Sequence, residues 1–235
     1  MDIDNKQIDL LYIESILIST GENLNEDLFL PLDIYNAIST IQYKVVDWEH
    51  HAGENDEKSE IIGTMGEAWF EDFKGNKLKS DSFDDMPAEF NIATKSVIWK
   101  YLFATRAQQI IDGFDDEELA ISMEMWFSKY DYAIKQTNGQ YKIIKRNKVT
   151  TSLSKYLKSN GGIGRFNGQK ILRVPRYFTF GGMGIVENPA NKRSEIKDIA
   201  GQISNTINGA GNIITIIQPI RKIDCTKLVE KLLVS

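Results

Sequence analysis

Two short stretches hold the side chains able to do chemistry. "VVDWEHH" (residues 45–51) carries both histidines of the chain, His50 and His51, and "LAISMEMWF" (119–127) sets the hydroxyl of Ser122 among Ile, Met, Trp and Phe. An apolar run gains nothing from a serine unless its oxygen finds a partner. A serine hydroxyl is a weak nucleophile at neutral pH and needs a base within hydrogen-bond reach; imidazole suits because its pKa lies near the operating pH. The chemistry this pairing suggests is acyl transfer, in which histidine takes the serine proton, the alkoxide attacks a carbonyl, and water later hydrolyses the acyl-enzyme. The same residue types also fit a core serine bonded to backbone and a histidine at a strand end.

Strand alternation assigns faces. In "LAISMEMWF" one face carries Ile121, Met123, Met125 and Phe127 and is expected to enter the core, while Ala120, Ser122, Glu124 and Trp126 face a mixed environment. In "KVVDWEHH" the alternation groups His50 with Val46 and Trp48, and His51 with Val45, Asp47 and Glu49. His51 runs directly into the polar "HAGENDEKSE", expected as an exposed loop, so His50 is the imidazole expected to be held in place.

Strands are expected at "IDLLYIESILI", "IQYKVVDWEH", "IIGTMGEAWFED", "KILRVPRYFTF" and "GMGIVE", with a short helix at "LDIYNAIS". Helical offsets within residues 85–112 predict a long helix that follows Pro87 or Thr94 and ends near Gly113, with further helices at 150–159 and near "SEIKDIAGQISNTI", and a last strand at "NIITIIQPI". Asn138-Gly139 between two β-type runs predicts a hairpin with a type I′ turn. "NGGIGRFNG" lacks the third glycine of a dinucleotide fingerprint and any Gly-Lys-Ser/Thr, and reads as a connection, not a phosphate loop. Strand clusters separated by helices, without regular βαβ alternation, point to an α+β fold.

With 235 residues, 42% hydrophobic and 26% charged, the chain is long enough for one sizeable domain with its own core. A net charge of -5 gives no electrostatic pull toward nucleic acid or an anionic membrane, and the basic "KIIKRNK" reads as a solvated strand and turn. The single cysteine, Cys225, excludes an internal disulfide and a cysteine metal cluster, as expected in a reducing cytoplasm. No stretch approaches the roughly 18 apolar residues of a membrane span, and the N-terminus opens with acids instead of a basic secretion signal.

Taken in order, "VVDWEHH", "IIGTMGEAWF", "LAISMEMWF" and "FTFGGMGIVENPANKRSEI" resemble the prohead maturation proteases of tailed bacteriophages over residues 40–196. In that family a motif histidine precedes an Ile-Gly strand, the nucleophile lies in an apolar-Ser-apolar strand, and a later strand leads into Pro-Ala-Asn, here Pro189-Ala190-Asn191. The resemblance implies a β-barrel wrapped by helices, similar to herpesvirus assemblin-type proteases, with the active site outside the barrel. It implies limited proteolysis of phage scaffold and major capsid proteins inside the assembling prohead, in the host cytoplasm, often with self-cleavage. The expected partners are those substrates and further copies of the chain, without direct nucleic-acid or membrane binding, and no metal or organic cofactor is needed.

Carried over by position, Ser122 matches the nucleophile and His50 the general base. For the third member the resemblance points to an acid near the strand before Pro-Ala-Asn, which here is Glu187, with Asp47 and Glu124 as competitors. Pro189 and Asn191 are expected to shape a turn. Gly181, Gly182 and Gly184 are expected either to let a backbone N–H approach an oxyanion or to form a bulge. The expected organisation is a protease-like domain over residues 1–196 and a C-terminal segment over 197–235 that completes the barrel, pairs subunits or is removed in maturation. The alternative reading is a non-catalytic virion or scaffold protein of the same fold.

Overall fold

The computed structural model describes residues 9–50, 60–79, 81–207 and 213–220, with side chains through residue 200. In chain order the elements are β1 (Leu11–Ser19), β2 (Gly21–Glu22), β3 (Leu28–Phe29), α1 (Pro31–Ala37), β4 (Val45–Trp48), β5 (Ile61–Glu71), β6 (Asn91–Ile98) and α2 (Ala104–Asp115). There follow β7 (Ala120–Lys135), β8 (Tyr141–Ile144), β9 (Arg165–Phe166), β10 (Gln169–Val186), β11 (Ile196–Ile207) and β12 (Ile213–Ile220). The fold is mixed α+β and mostly strand. One curled sheet runs β12-β11-β1-β6-β5-β4-β10-β7-β8, with β9 paired to β10 and β2-β3 as a separate ribbon.

The core lies where β1, β5, β6, β7 and β10 bury Leu17, Ile62, Ile92, Ile121, Phe180 and Ile185, covered by Ile34 of α1 and by Ile110 and Phe114 of α2. These helices close the apolar face of the sheet, since a sheet buries one face by packing a second layer on it. Close approach of strands also sets residue size at Gly63. It pairs with Ile98 of β6, and a Cβ added there would fall inside the van der Waals shell of the Val97 carbonyl oxygen. The neighbour is backbone and cannot rotate away, so Gly63→Ala is expected to cost roughly 3 kcal/mol and lower Tm by roughly 6–12 °C. A calorimetric scan showing an unchanged Tm would contradict this packing.

Three expected helices are corrected. Most of residues 85–98 form no helix: β6 lies between β1 and β5, buried on both faces, and such a strand reads as a nearly continuous apolar run that periodicity alone cannot separate from a helix. The helix begins only at Ala104. The segment 150–159 tightens into two 3₁₀ turns, Thr151–Tyr156 and Lys158–Asn160, stopped by Gly161 at φ 79°. The segment near 194–207 is β11, because β1 has an edge open opposite β6 and pairing there satisfies both backbones. Lys197 ties β11 down, reaching Glu14 of β1 at 3.1 Å and Glu71 of β5 at 2.7 Å. Residues 197–207 and 213–220 of the C-terminal segment thus extend the same sheet.

The hairpin at Asn138-Gly139 forms between β7 and β8, but only Gly139 has positive φ (84°), and Gly139 N–H donates to Gln136 O, so the turn is type I followed by a left-handed glycine. The type I′ geometry appears instead at Asn167-Gly168 between β9 and β10, with φ 49° and 77°. In "NGGIGRFNG" the amides of Gly162 and Gly164 donate to Leu157 O and Tyr156 O, both at 2.8 Å, and are not turned toward a ligand. The stretch 51–59, expected as an exposed loop, and with it His51, lies outside the described residues. No helix among the described residues is long and apolar enough to cross a membrane.

Candidate functional site

The site is built on three adjacent strands. β10 pairs antiparallel with β7 and parallel with β4, placing Ser122, Gly184 and Asp47 in one row across the sheet, and Glu124, Gly182 and Val45 in the next. Paired residues project to the same face. Each row therefore has a gap at its middle strand, because glycine fills it with nothing. A Cβ at Gly184 would lie 2.9 Å from Asp47 Oδ1 and 2.9 Å from His50 Nδ1; one at Gly182 would lie 3.1 Å from Glu124 Oε2. The imidazole of His50 lies over Gly184, the residue that pairs with Ser122 across the sheet.

His50 reaches this place by leaving the strand. β4 ends at Trp48, and Glu49 and His50 both take left-handed backbone, φ 56° and 61°. The turn is held at two points: Glu49 N–H donates to Ile185 O at 3.1 Å, and His50 N–H donates to Asp47 Oδ1 at 3.2 Å. Alternation would have kept His50 beside the buried Val46; two successive left-handed residues bring it to the side of Asp47 instead, which corrects its expected grouping with Val46 and Trp48. Asp47 is fully buried.

On β7 the expected faces hold. Ile121 is buried, Met123, Met125 and Phe127 pack against the core, and Ser122 and Glu124 face the other way. Glu124 Oε1 lies 3.2 Å from His50 Nδ1. Among the described residues this carboxylate is the side-chain partner of the ring; the Ser122 hydroxyl lines the same cleft without a hydrogen bond to it. Glu187 stands exposed just beyond the end of β10, and Glu124 takes the place at the imidazole that Glu187 was expected to fill. The physical reason is strand parity: Glu124 is two residues from Ser122 and shares its face, while Glu187 follows the strand into a turn.

The hydrogen bond that the ring donates to Glu124, joined by the negative charges of Asp47 and Glu124, raises the His50 pKa above its ordinary 6.5 against the opposing effect of burial. Glu124→Gln is therefore expected to make the His50 Cε1 proton titrate at lower pH than in the wild type. Because the folded-state pKa is raised, the linked stability is fully present below the unfolded value of 6.5 and is lost as pH rises through the folded value. Glu124→Gln should therefore lower Tm more at pH 6 than at pH 9. An NMR titration with the same midpoint in both proteins would remove Glu124 as the cause.

Ser122 opens on two joined cavities. One, of about 960 Å³, contains His50, Glu124, Trp126 and Pro189; the other, of about 620 Å³, contains Phe29, Asp27, Arg173 and Asn191. They meet at Asn25, Ser122, Met123, Met125, Ala190 and Lys192. The wall opposite β7 is the 23–27 loop, fixed by Arg173 to Asp27 at 2.6 and 2.8 Å, by Lys158 to Glu26 at 3.0 Å, and by Leu24 N–H donating to Ala190 O at 2.8 Å. Asn191 shapes the turn after β10: its amide donates to Ser19 Oγ and Ser194 Oγ at 3.2 and 3.1 Å, and its Oδ1 accepts from Arg193 N–H.

The glycines make room for the site. The β10–β7 register shifts between Phe180 and Gly182, so Gly181 is a bulge residue, and a Cβ on it would lie 2.6 Å from the indole Nε1 of Trp126. Gly181, Gly182 and Gly184 thus lie beneath Trp126, Glu124 and His50 respectively. Trp126, expected on the Ser122 face, borders the cleft at 74% exposure, whereas the roles of Leu24, Asn25 and Lys192 as lining residues were missed from sequence. The usable signal was "GGMG" inside a strand, which marks close approach of other groups. One ligand atom each from Asp47, His50 and Glu124 lie within 4.8 Å of one another, so these residues are also the candidates for holding a metal ion. No family model, curated protein or solved structure matches the chain.

Proposed function

We propose that this chain is a serine endopeptidase of phage head maturation, with a fold similar to assemblin-type proteases, that cuts scaffold and capsid proteins inside the prohead. The observation that carries the reading is the convergence of Ser122, His50 and Glu124 on one cleft, with Glu124 hydrogen-bonded to the imidazole. A carboxylate accepting from Nδ1–H holds the tautomer whose Nε2 lone pair can take a proton, and it stabilises the imidazolium that results. In this mechanism His50 Nε2 removes the Ser122 proton, the alkoxide adds to the substrate carbonyl, and the protonated ring delivers that proton to the leaving amine. Water then repeats the sequence on the acyl-enzyme. Glu124 is the third member.

The joined cavities suit a polypeptide, because an extended chain can run through both with its scissile bond at the junction by Ser122. Substrate binding has to bring ring and hydroxyl into contact, as catalytic hydrogen bonds often tighten only in the bound complex. The test is intact-mass measurement over several days of wild type and Ser122→Ala, alone and with co-expressed scaffold and capsid proteins. Cleavage by the wild type and not by Ser122→Ala supports the proposal. Equal cleavage, or none by either protein, favours a non-catalytic virion or scaffold component.

A further inference from the structure

We propose that Asp47, His50 and Glu124 form a site for one zinc-type divalent cation, and that occupation of this site switches the base off. The inference rests on the reading of His50 as base for its consequence, and on geometry alone for its binding. His50 Nδ1 and Glu124 Oε1 are 3.2 Å apart, close to the about 3.3 Å separating two ligands held at about 2.0 Å from a tetrahedral zinc ion. Asp47 supplies the third donor, a carboxylate oxygen, with all three donor atoms within 4.8 Å. The donor set, one imidazole and two carboxylates, is of a kind that binds zinc.

The site has space and a solvent-facing side. Gly184 itself adds no side chain between Asp47 Oδ1 and His50 Nδ1, each of which lies 2.9 Å from where its Cβ would stand. The His50 and Glu124 side chains are 35% and 25% exposed and line the cleft, so a fourth position faces solvent or substrate. Asp47, buried beneath, anchors the ion from the sheet side while its carboxylate also accepts the His50 N–H.

The consequence follows from proton bookkeeping. Catalysis needs the proton on Nδ1, bonded to Glu124, and a lone pair on Nε2. A cation takes the Nδ1 lone pair, so the neutral ring must carry its proton on Nε2, the atom that faces the nucleophile's proton in the mechanism. From the neutral ring no net proton is lost, since it moves from Nδ1 to Nε2 through solvent; from the imidazolium one proton is released. The bound cation also takes Glu124 away from the ring. Ser122 then has no acceptor.

The experiment uses the full chain labelled with ¹⁵N-histidine, titrated with Zn²⁺ alone, in wild type, Ser122→Ala, Asp47→Asn, Glu124→Gln and His50→Ala. Calorimetry on the same samples gives stoichiometry, and Tm shows that each is folded. The expected result is one ion per chain, a large shift of the His50 Nδ1 resonance, the same affinity in Ser122→Ala, and affinity reduced at least about tenfold in Asp47→Asn and Glu124→Gln. Peptidase activity of the wild type should fall with the same half-saturation and return with EDTA.

Zinc binding that leaves the His50 resonance in place, or that is unchanged in folded Asp47→Asn and Glu124→Gln, would overturn the site. Binding at His50 with undiminished peptidase activity would overturn the switch. A chain without any peptidase activity that still shows the Nδ1 shift would keep the site and remove the protease reading, so the two failures are separable.

Discussion

Replacing Ser122 with alanine is expected to lower kcat by about 10⁵–10⁶-fold, and His50→Ala by a similar factor, with the double variant no slower than either single one. Non-additivity is the informative part. A hydroxyl and its base act in one proton transfer, so removing either removes the step, and what remains comes from substrate binding and the polar groups of the cleft. Ser122 is only partly buried and its side chain bonds to no other group among the described residues, so the alanine variant should keep the wild-type Tm. Activity of Ser122→Ala within tenfold of the wild type would end the proposed mechanism. Single losses that multiply in the double variant would show two independent roles instead of a dyad.

Gly184→Ala is expected to lower kcat by about 10²-fold or more while the protein still folds. The methyl group would meet Asp47 Oδ1 and His50 Nδ1 at 2.9 Å each, closer than a real Cβ stands to its neighbours. One of the two must give way. Asp47 is buried and tied to the His50 amide, whereas the imidazole is partly exposed and can rotate into the cleft, so the ring moves. A displacement near 1 Å at a reacting group is worth about 10²-fold in rate. The measurement is kcat beside Tm and the His50 Cε1 chemical shift. A folded Gly184→Ala with wild-type kcat and shift would mean that the gap over Gly184 does not set the position of the base.

The comparison of Gly63 and Gly184 shows why two glycines in strands carry different consequences. Both stand where a Cβ has no room, but the obstacle at Gly63 is a backbone carbonyl of β6, and at Gly184 it is a pair of side chains belonging to the site. The first glycine serves stability and the second geometry. Composition alone treats them as equivalent breaks in strands.

Much of the site was legible before any coordinates. Period-two alternation placed Ser122 and Glu124 on the face of β7 away from Ile121, because side-chain direction in a strand is a local property of the backbone. Two histidines restricted the search for a base to adjacent positions. The same local rule failed at His50, since it assumes the strand continues, and β4 stops at Trp48 before two left-handed residues. Neither Glu49 nor His50 announces that conformation. Asp47 holds it through a hydrogen bond three residues along, and β10 through Ile185 O, a contact from a distant part of the chain.

Residue types and strand periodicity thus determined by themselves the α+β class, the strand bearing the hydroxyl, its outward face and the few side chains able to serve it. Tertiary structure alone decided which carboxylate meets the imidazole and that β6 and β11 are strands instead of helices. The physical reason is that a strand's partners and register are long-range choices. The row Ser122–Gly184–Asp47 joins three segments far apart in the chain, and the empty middle of that row, into which His50 folds, exists only once they are side by side.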